Sequence, residues 1–442
     1  MKVMMVQLPH FHNGVRRSPA IYPLGIGYLV SVLKGRHDLI PLDLWIEDVP
    51  MGRVFKLIEK TKPDVFCISV YAAQYSYFKP FAAELKKRYP GKKIIAGGPG
   101  ATFSCRVFLE KTAADYCVLG EGENTLKELL DNIENPGDVA GIAYKKGGKV
   151  VLTPKRAQIH SLDTIPFPDR DFFDTERYIS NYKNSDQGKF KGSRTLNLIA
   201  GRGCPYRCVF CSKTFSGCRL RSVRSIGEEI KVLKEKYGAQ ALDFNDELVI
   251  INRKRTLDLC KVIKKHDLKW FCQGRINVMS GEILKALKEA GCEGIGYGVE
   301  AYTQRILDSM RKEISVKDIV PVIKKTRAAG IEPRVQYMYA LPGEDDDSLK
   351  DTIRFFGEAD IPYQSMAVIT FPGTKLYEDA KRGKLISDEE EYLLNLDDGY
   401  TKDRPQVNFT GFSDKELISR KRNLRKVINK QYRRRHPLFR DK

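Results

Sequence analysis

Three cysteines lie within eight residues of one another, in the run Gly203-Cys204-Pro205-Tyr206-Arg207-Cys208-Val209-Phe210-Cys211. A CxxxCxxC spacing on one loop can hold three irons of a [4Fe–4S] cluster, because thiolates are the usual cluster ligands. The motif brings no fourth ligand. An iron left open in this way can chelate the amino and carboxylate groups of a small molecule. Cys218 is the one nearby cysteine that could add a thiolate, and its spacing does not continue the pattern. Zinc is the competing reading, but structural zinc usually draws on two paired ligand sets, and the chain has no second CxxC and no HxxxH.

The elements that must position such a loop can be read from the hydrophobic pattern. Over the first 135 or so residues, short apolar runs (Lys2–Leu8, Leu39–Leu44, Val65–Val70, Lys93–Gly98, Tyr116–Gly120) alternate with segments of helical spacing (Pro23–Lys34, Gly52–Lys60, Tyr75–Tyr89, Glu123–Asn132). This alternation predicts a doubly wound parallel sheet, which binds ligands outside the carboxyl ends of its strands. Small residues fall at those ends, Gly97-Gly98-Pro99-Gly100 and Gly120-Glu121-Gly122-Glu123. Gly141 to Thr153 reads as a hairpin, and Pro154 to about Ser193 as an irregular linker. From Thr195 six longer strand-helix units follow, with strands at Leu196–Ala200, Ala241–Phe244, Lys269–Cys272, Gly294–Val299, Arg334–Tyr339 and Ser365–Thr370. They predict a partial (β/α)6 barrel, whose active face is the carboxyl end of the strands. The expected domains are therefore 1–153, a linker 154–193, a barrel 194–384 and a basic, mostly helical segment 385–442.

Composition narrows the setting. At 442 residues and 42% hydrophobic content, the chain can build more than one core. No apolar run approaches the roughly 20 residues of a membrane span, and Lys2–Leu8 reads as a strand rather than an export signal, so a cytoplasmic protein is expected. In a reducing compartment clustered cysteines favour a metal site over disulfides. The formal net charge of +20 is densest between Arg420 and Arg435. It suits an acidic partner, yet no stacking aromatics are regularly interleaved there, so nucleic acid is not expected.

Taken together, these motifs resemble one family. Thr195 to Gly383 looks like a radical S-adenosylmethionine (SAM) domain, and Met1 to Asp174 like the cobalamin-binding domain that precedes it in one large subfamily, the class B radical SAM methyltransferases. The resemblance rests on the cysteine motif and on Pro23-Leu24-Gly25-Ile26-Gly27-Tyr28-Leu29, Ile68-Ser69-Val70-Tyr71, Gly97-Gly98-Pro99, Gly120-Glu121-Gly122-Glu123 and Ile165-Pro166-Phe167-Pro168-Asp169-Arg170. It implies SAM contacts from Phe210, from Asp246 and Glu247 in Asp243-Phe244-Asn245-Asp246-Glu247, from Arg275, and from Glu300 in Gly298-Val299-Glu300. Two structural alternatives stay open: Glu300 could cap the following helix, and Arg275 could pair with Glu300. The resemblance likewise implies cobalamin contacts from Ser69, Tyr71, Gly97, Gly98, Pro99, Gly120 and Glu121. Departures from the pattern are Gly100, where the family often has His, and Ala301, where it often has Ser. The first domain also lacks the Asp-x-His-x-x-Gly that supplies a histidine to cobalt in other cobalamin proteins, as is usual in this subfamily.

The activity so implied is reductive cleavage of SAM to a 5′-deoxyadenosyl radical, followed by methylation of an unactivated carbon or phosphorus centre through methylcobalamin. An external one-electron reductant, flavodoxin- or ferredoxin-like, is required, and the substrate is a small molecule, lipid or peptide. The nearest alternative is a radical cyclase, rearrangement or dehydration enzyme that uses cobalamin differently or not at all. A cluster-carrying electron-transfer protein would leave the carboxylates at the strand ends unexplained. An RNA-directed methylthiotransferase would need a second cluster, and Cys67, Cys105 and Cys117 lie mostly in strand-like apolar contexts.

Overall fold

Apolar residues recurring between charged flanks become two sets of strands, each forming its own unit in the computed structural model. It describes residues 1–12, 15–16, 21–46, 49–184, 189–396 and 405–438. The first unit comprises Met1–Gly203, Ser212–Gln240 and Ile386–Asp398, and the second Cys204–Cys211, Ala241–Leu385 and Gly399–Lys442.

In the first unit, β1 (Lys2–Gln7), β2 (Asp38–Asp43), β3 (Val65–Ser69), β4 (Lys93–Gly97) and β5 (Tyr116–Val118) pair in parallel, in the order β2-β1-β3-β4-β5. The hairpin β6 (Ile142–Lys146) and β7 (Lys149–Leu152) extends the sheet antiparallel beyond β5. Helices α1 (Leu24–Leu33), α2 (Met51–Thr61), α3 (Tyr75–Arg88), α4 (Gly98–Phe103), α5 (Cys105–Lys111) and α6 (Gly122–Asp131) connect the strands. Val3, Met5, Val30, Val65, Ile95 and Leu129 are buried in its core, as a sheet covered on both faces requires. Strand order reverses between β1 and β3, and that switch point is where doubly wound sheets bind ligands.

The stretch expected to be irregular holds α7 (Thr175–Asn184). Its start was legible, since Asp174 accepts the Arg177 N–H at 3.0 Å as an N-cap does. Tyr178, Ile179 and Tyr182 are its buried face, and the Tyr178 hydroxyl donates to Asp43 at 2.6 Å. Strand β8 (Thr195–Leu198) is the edge strand of a six-stranded sheet whose other five strands are described below, as the barrel reading expects, although by compactness it and helix α8 (Val223–Tyr237) group with the first unit. Arg170 and Arg221 both meet Glu229 of α8 in a buried network that fixes the chain there. A ribbon of β9 (Gly201–Gly203) and β10 (Cys218–Leu220) closes the base of the loop between them.

The second unit carries β11 (Ala241–Phe244), β12 (Lys269–Gly274), β13 (Cys292–Glu300), β14 (Glu332–Tyr339) and β15 (Met366–Ala367), paired in parallel in chain order. Helices α9 (Arg253–Lys264), α10 (Gly281–Glu289), α11 (Gln304–Ser309), α12 (Val316–Ala328), α13 (Asp346–Ala359) and α14 (Lys375–Arg382) follow the strands. This is the curled, parallel half-barrel expected. The first unit also takes α15 (Glu389–Asn395), and α16 (Asp414–Arg435) ends the second. No helix among the described residues is long and apolar enough to cross a membrane.

One glycine anchors the turn after β3. A Cβ on Gly100 would lie 2.9–3.0 Å from backbone atoms of Val70, Tyr71 and Ala72, which cannot move aside. Gly100→Ala should therefore destabilise the first unit by about 1–3 kcal/mol. Gly25→Ala, with nothing within 4 Å in α1, should be neutral or stabilise by up to about 1 kcal/mol. Urea unfolding of both variants checks this; equal effects would contradict the packing argument.

Candidate active site

The cysteine loop is held by its own backbone. The Val209 N–H donates to the Met310 carbonyl at 3.1 Å, and the Leu376 N–H donates to the Val209 carbonyl at 3.0 Å. These bonds tie the middle of the motif to the ends of α11 and α14. The Cys211 N–H folds back on the Cys208 carbonyl at 3.3 Å, a turn that brings those two residues together. Cys204, Cys208 and Cys211 are all half-buried, the exposure suited to ligands of a cluster that a small molecule must reach. The other thiols differ. Cys67, Cys117 and Cys272 are buried, and desolvation pushes their thiols well up, so they stay protonated and poor as iron ligands. Burial likewise pushes Cys260 up to about 12. Cys218 lies in β10, backbone-paired with Gly203.

Around the loop the second unit gathers charge at its strand ends. Arg275 follows β12, is 6% exposed, and lies 3.4 Å from the Tyr206 ring between the first two cysteines. Its Nε and Nη2 are buried without a hydrogen-bond partner. A buried guanidinium left in this state is costly, and a carboxylate ligand would satisfy it. Glu300 ends β13 at φ +68°, beside an irregularity in the β13–β14 register. Its Oε1 accepts from Lys312 Nζ at 2.7 Å, with both side chains 9% exposed. Lys312 also lies 5.6 Å from the Phe210 ring. Glu300 thus pairs with Lys312 rather than with Arg275. The Gly-Val-Glu glycine has a local reason as well, because a Cβ on Gly298 would collide with Glu300 Oε1 and come within 2.8 Å of Lys312 Nζ. Asp246 is buried after β11, whereas Glu247 is exposed. Sequence reasoning missed Tyr206 and Lys312. Tyr206 could have been found from its place inside the cysteine motif, but Lys312 carries no local signal.

In the first unit, Ser69 ends β3 opposite Gly97, and the Val70 N–H donates to the Gly97 carbonyl at 2.9 Å. Gly98 has φ +87°, and a Cβ there would meet the Val70 carbonyl at 3.0 Å. Pro99 follows it in the first turn of α4, as helix starts favour. The Gly120 N–H donates to Thr102, whose hydroxyl donates to the Gly98 carbonyl. Nothing lies within 4 Å of a Cβ built on Gly120, and on Gly97 only Val118 at 4.0 Å, so this floor is open. Tyr71 is 49% exposed, and its ring centroid is 5.4 Å from that of His10, which also packs on Trp45 at 4.4 Å. An open floor of small residues beside an exposed aromatic, at the switch point, fits a flat ligand with an extended tail. Glu121 differs from the others. Its carboxylate is taken up by Arg202 at 2.7 Å, Arg219 at 3.0 Å and the Ile159 N–H at 2.8 Å. Gln74 escaped the sequence reading: buried, it donates to the Leu8 and Pro9 carbonyls and accepts the Tyr71 N–H, tying the ends of β1 and β3 together.

Family models match both parts of the chain: the radical SAM superfamily over residues 198–356 and the B12 binding domain over 14–130. An uncharacterised methyltransferase of Pyrococcus horikoshii is 31% identical over 398 residues, 87% of this chain and 84% of that protein. The chain belongs to the radical SAM superfamily. Within it, the B12-binding domain makes it a cobalamin-dependent, methyltransferase-like radical SAM enzyme, with a [4Fe–4S] cluster, SAM and cobalamin as its cofactors. It is also similar to an anaerobic magnesium-protoporphyrin IX monomethyl ester cyclase of Rubrivivax gelatinosus, 27% identical over 93% of this chain and 77% of that protein. The fold matches that of the radical SAM methyltransferase TsrM of Kitasatospora setae, with a TM-score of 0.71 at 16% identity, over 86% of this chain and 78% of that one.

The Glu300–Lys312 pair is testable apart from any cofactor. Removing one partner leaves the other charge buried, which typically costs about 3–5 kcal/mol. Lys312→Met should therefore destabilise the protein more than Lys312→Met with Glu300→Gln. A double-mutant cycle by denaturant unfolding should show coupling above about 1 kcal/mol; additivity within about 0.5 kcal/mol would contradict a buried ion pair.

Proposed function

We propose that the protein methylates an unactivated carbon or phosphorus centre of a small molecule, lipid or peptide in the cytoplasm, with electrons from a flavodoxin- or ferredoxin-like carrier. The observation that carries the reading is the half-buried three-cysteine loop beside a buried guanidinium with two unsatisfied nitrogens. The names of relatives favour methyl transfer: a cytidylyl-2-hydroxyethylphosphonate methyltransferase of Streptomyces wedmorensis is 25% identical over 90% of this chain and 84% of that protein. The cyclase relatives make ring closure the second reading.

When bound, the cluster and SAM supply a 5′-deoxyadenosyl radical, and the corrinoid a transferable methyl group. In this reading Cys204, Cys208 and Cys211 hold the cluster, and the stiffly anchored Val209 fixes the adjoining Phe210 against the adenine. Arg275 takes the carboxylate of SAM with its free Nε and Nη2, held rigid by stacking on Tyr206. Glu300, engaged through Oε1 alone among the described residues, offers Oε2 to the ribose hydroxyls or amino group, while Lys312 holds the carboxylate in place. Asp246 and Glu247 face the amino group from the next strand end. In the first unit Ser69, Gly97, Gly98, Pro99 and Gly120 would hold the corrinoid and its nucleotide tail, with the exposed Tyr71 packing beside it. Glu121 acts there by positioning, through Arg202 and Arg219. His10 packs against Trp45 and Tyr71 and lies outside an Asp-x-His-x-x-Gly pattern, so it would border the corrinoid site by packing rather than serve as a metal ligand.

Changing Cys204, Cys208 or Cys211 to Ala should abolish both iron binding and SAM cleavage, whereas Cys218→Ala and Cys292→Ala should keep both. Iron analysis and 5′-deoxyadenosine release after anaerobic reconstitution check this. About four irons per chain surviving in Cys208→Ala would sink the assignment.

A further inference from the structure

Helix α16 carries ten Lys or Arg among its 22 residues, against two acids, Asp414 and Glu416, both in its first turn. Eight of these cations sort by place into two sets. One set reaches back onto the second unit: Arg420 Nε meets Asp346 at 3.1 Å, Lys421 Nζ donates to the Tyr339 hydroxyl at 3.0 Å, and Arg435 Nη1 donates to the Gly357 carbonyl at 2.7 Å and lies 3.0 Å from Asp360. The other set is Lys415, Arg422, Lys426, Lys430 and Arg433, all exposed. Steps of seven, four, four and three residues keep these five in one stripe, opposite the buried Leu417, Leu424 and Ile428. At roughly 1.5 Å per residue the stripe is about 27 Å long. Lys415, Lys426 and Lys430, with exposed Arg425 and Arg434 beside them, form no ion pair with any described residue. Like charges three and four residues apart weaken a helix, so folding alone does not account for this row.

Its position is informative. Tyr339 ends β14 and Asp346 begins α13, so the first half of α16 stands at the carboxyl end of the parallel strands, the end at which Arg275, after β12, meets the cysteine loop. We propose that this stripe docks the acidic face of a small one-electron carrier protein that reduces the cluster. The inference rests on the radical SAM reading, which requires such a donor. In the transfer, an anionic flavin hydroquinone is oxidised to the neutral semiquinone and its electron reduces the oxidised cluster; no proton moves. A charged row without apolar anchors suits a partner that must arrive quickly and leave again. The alternatives fit less well. The apolar side of α16 is buried and unavailable to a membrane, and no exposed aromatic interleaves the five cations to stack nucleic-acid bases. Tyr432 is already stacked on His436 at 4.2 Å.

The test uses the reconstituted full chain and its Lys426→Glu/Lys430→Glu/Arg433→Glu variant, with reduced flavodoxin or dithionite as electron source. Flavodoxin-driven release of 5′-deoxyadenosine should fall roughly tenfold or more and lose its salt dependence, while dithionite-driven release stays within about twofold of wild type. In parallel, titration with oxidised flavodoxin at two salt concentrations should show weakened binding. Should charge reversal prevent folding, Lys426→Gln/Lys430→Gln should show the same selectivity at smaller amplitude. Unchanged flavodoxin binding and turnover would overturn the proposal, as would a variant that keeps the donor but loses a single-stranded RNA or phosphatidylglycerol vesicles. Absence of dithionite-driven cleavage in the wild type would overturn the radical SAM reading instead, and the flavodoxin titration would still decide the docking surface.

Discussion

Three thiolates drawn from eight consecutive residues can share a cluster only if the backbone between them is held from outside. Here that constraint is met by two hydrogen bonds on one residue, the Val209 N–H to Met310 and the Val209 carbonyl from Leu376. The flanking side chains, Tyr206 and Phe210, then lie close to the cations of the neighbouring strand ends, Arg275 and Lys312. Each cation has a different state. Lys312 is neutralised by Glu300, so the pair is a finished piece of structure that still offers one carboxylate oxygen. Arg275 is stacked but incompletely hydrogen-bonded, an arrangement that becomes favourable only when an anion arrives. A fold that keeps such a group buried has set its stability against its binding function.

The first unit meets a similar demand by other means. A large flat ligand at a sheet's switch point needs a floor without side chains, and Gly97 and Gly120 provide one, while Gly98 and Gly100 let the backbone that follows β3 approach. The same unit holds a network of arginines and glutamates. Arg202 reaches Glu121 and Glu123, Arg219 reaches Glu121, and Arg170 and Arg221 share Glu229. Isolated buried ion pairs seldom add net stability. Linked through shared carboxylates and backbone carbonyls, they fix one arrangement of the chain between the hairpin and α8.

Much of this was legible in the sequence, because the strands and helices follow their hydrophobic periods closely. The fifth half-barrel strand, for example, was expected at Arg334–Tyr339 and runs Glu332–Tyr339. Local rules also explain two misses. Helix α7 was hidden by the Pro- and Asp-rich run before it, although Asp174 is an ordinary N-cap, and α4 was masked by three glycine or proline residues that usually mark a turn. Other features were not legible in principle. That Lys312, twelve residues beyond Glu300, is its partner depends on the loop after α11 returning to the end of β13. That Glu121 is occupied by Arg202 and Arg219 depends on a ribbon some 80 residues away. Spacing reports which side chains share an element; it does not report which elements meet.

The central claim is that one chain carries both the cluster and a corrinoid free of histidine ligation. The most direct measurement is anaerobic reconstitution with iron, sulfide and hydroxocobalamin, followed by removal of unbound cofactor, metal analysis, and electron paramagnetic resonance of the cobalt(II) state. The account predicts about four irons and about one corrinoid per chain, with a cobalt signal lacking nitrogen superhyperfine splitting. A chain that keeps its irons but retains no corrinoid, or a cobalt signal split by a histidine nitrogen, would contradict it.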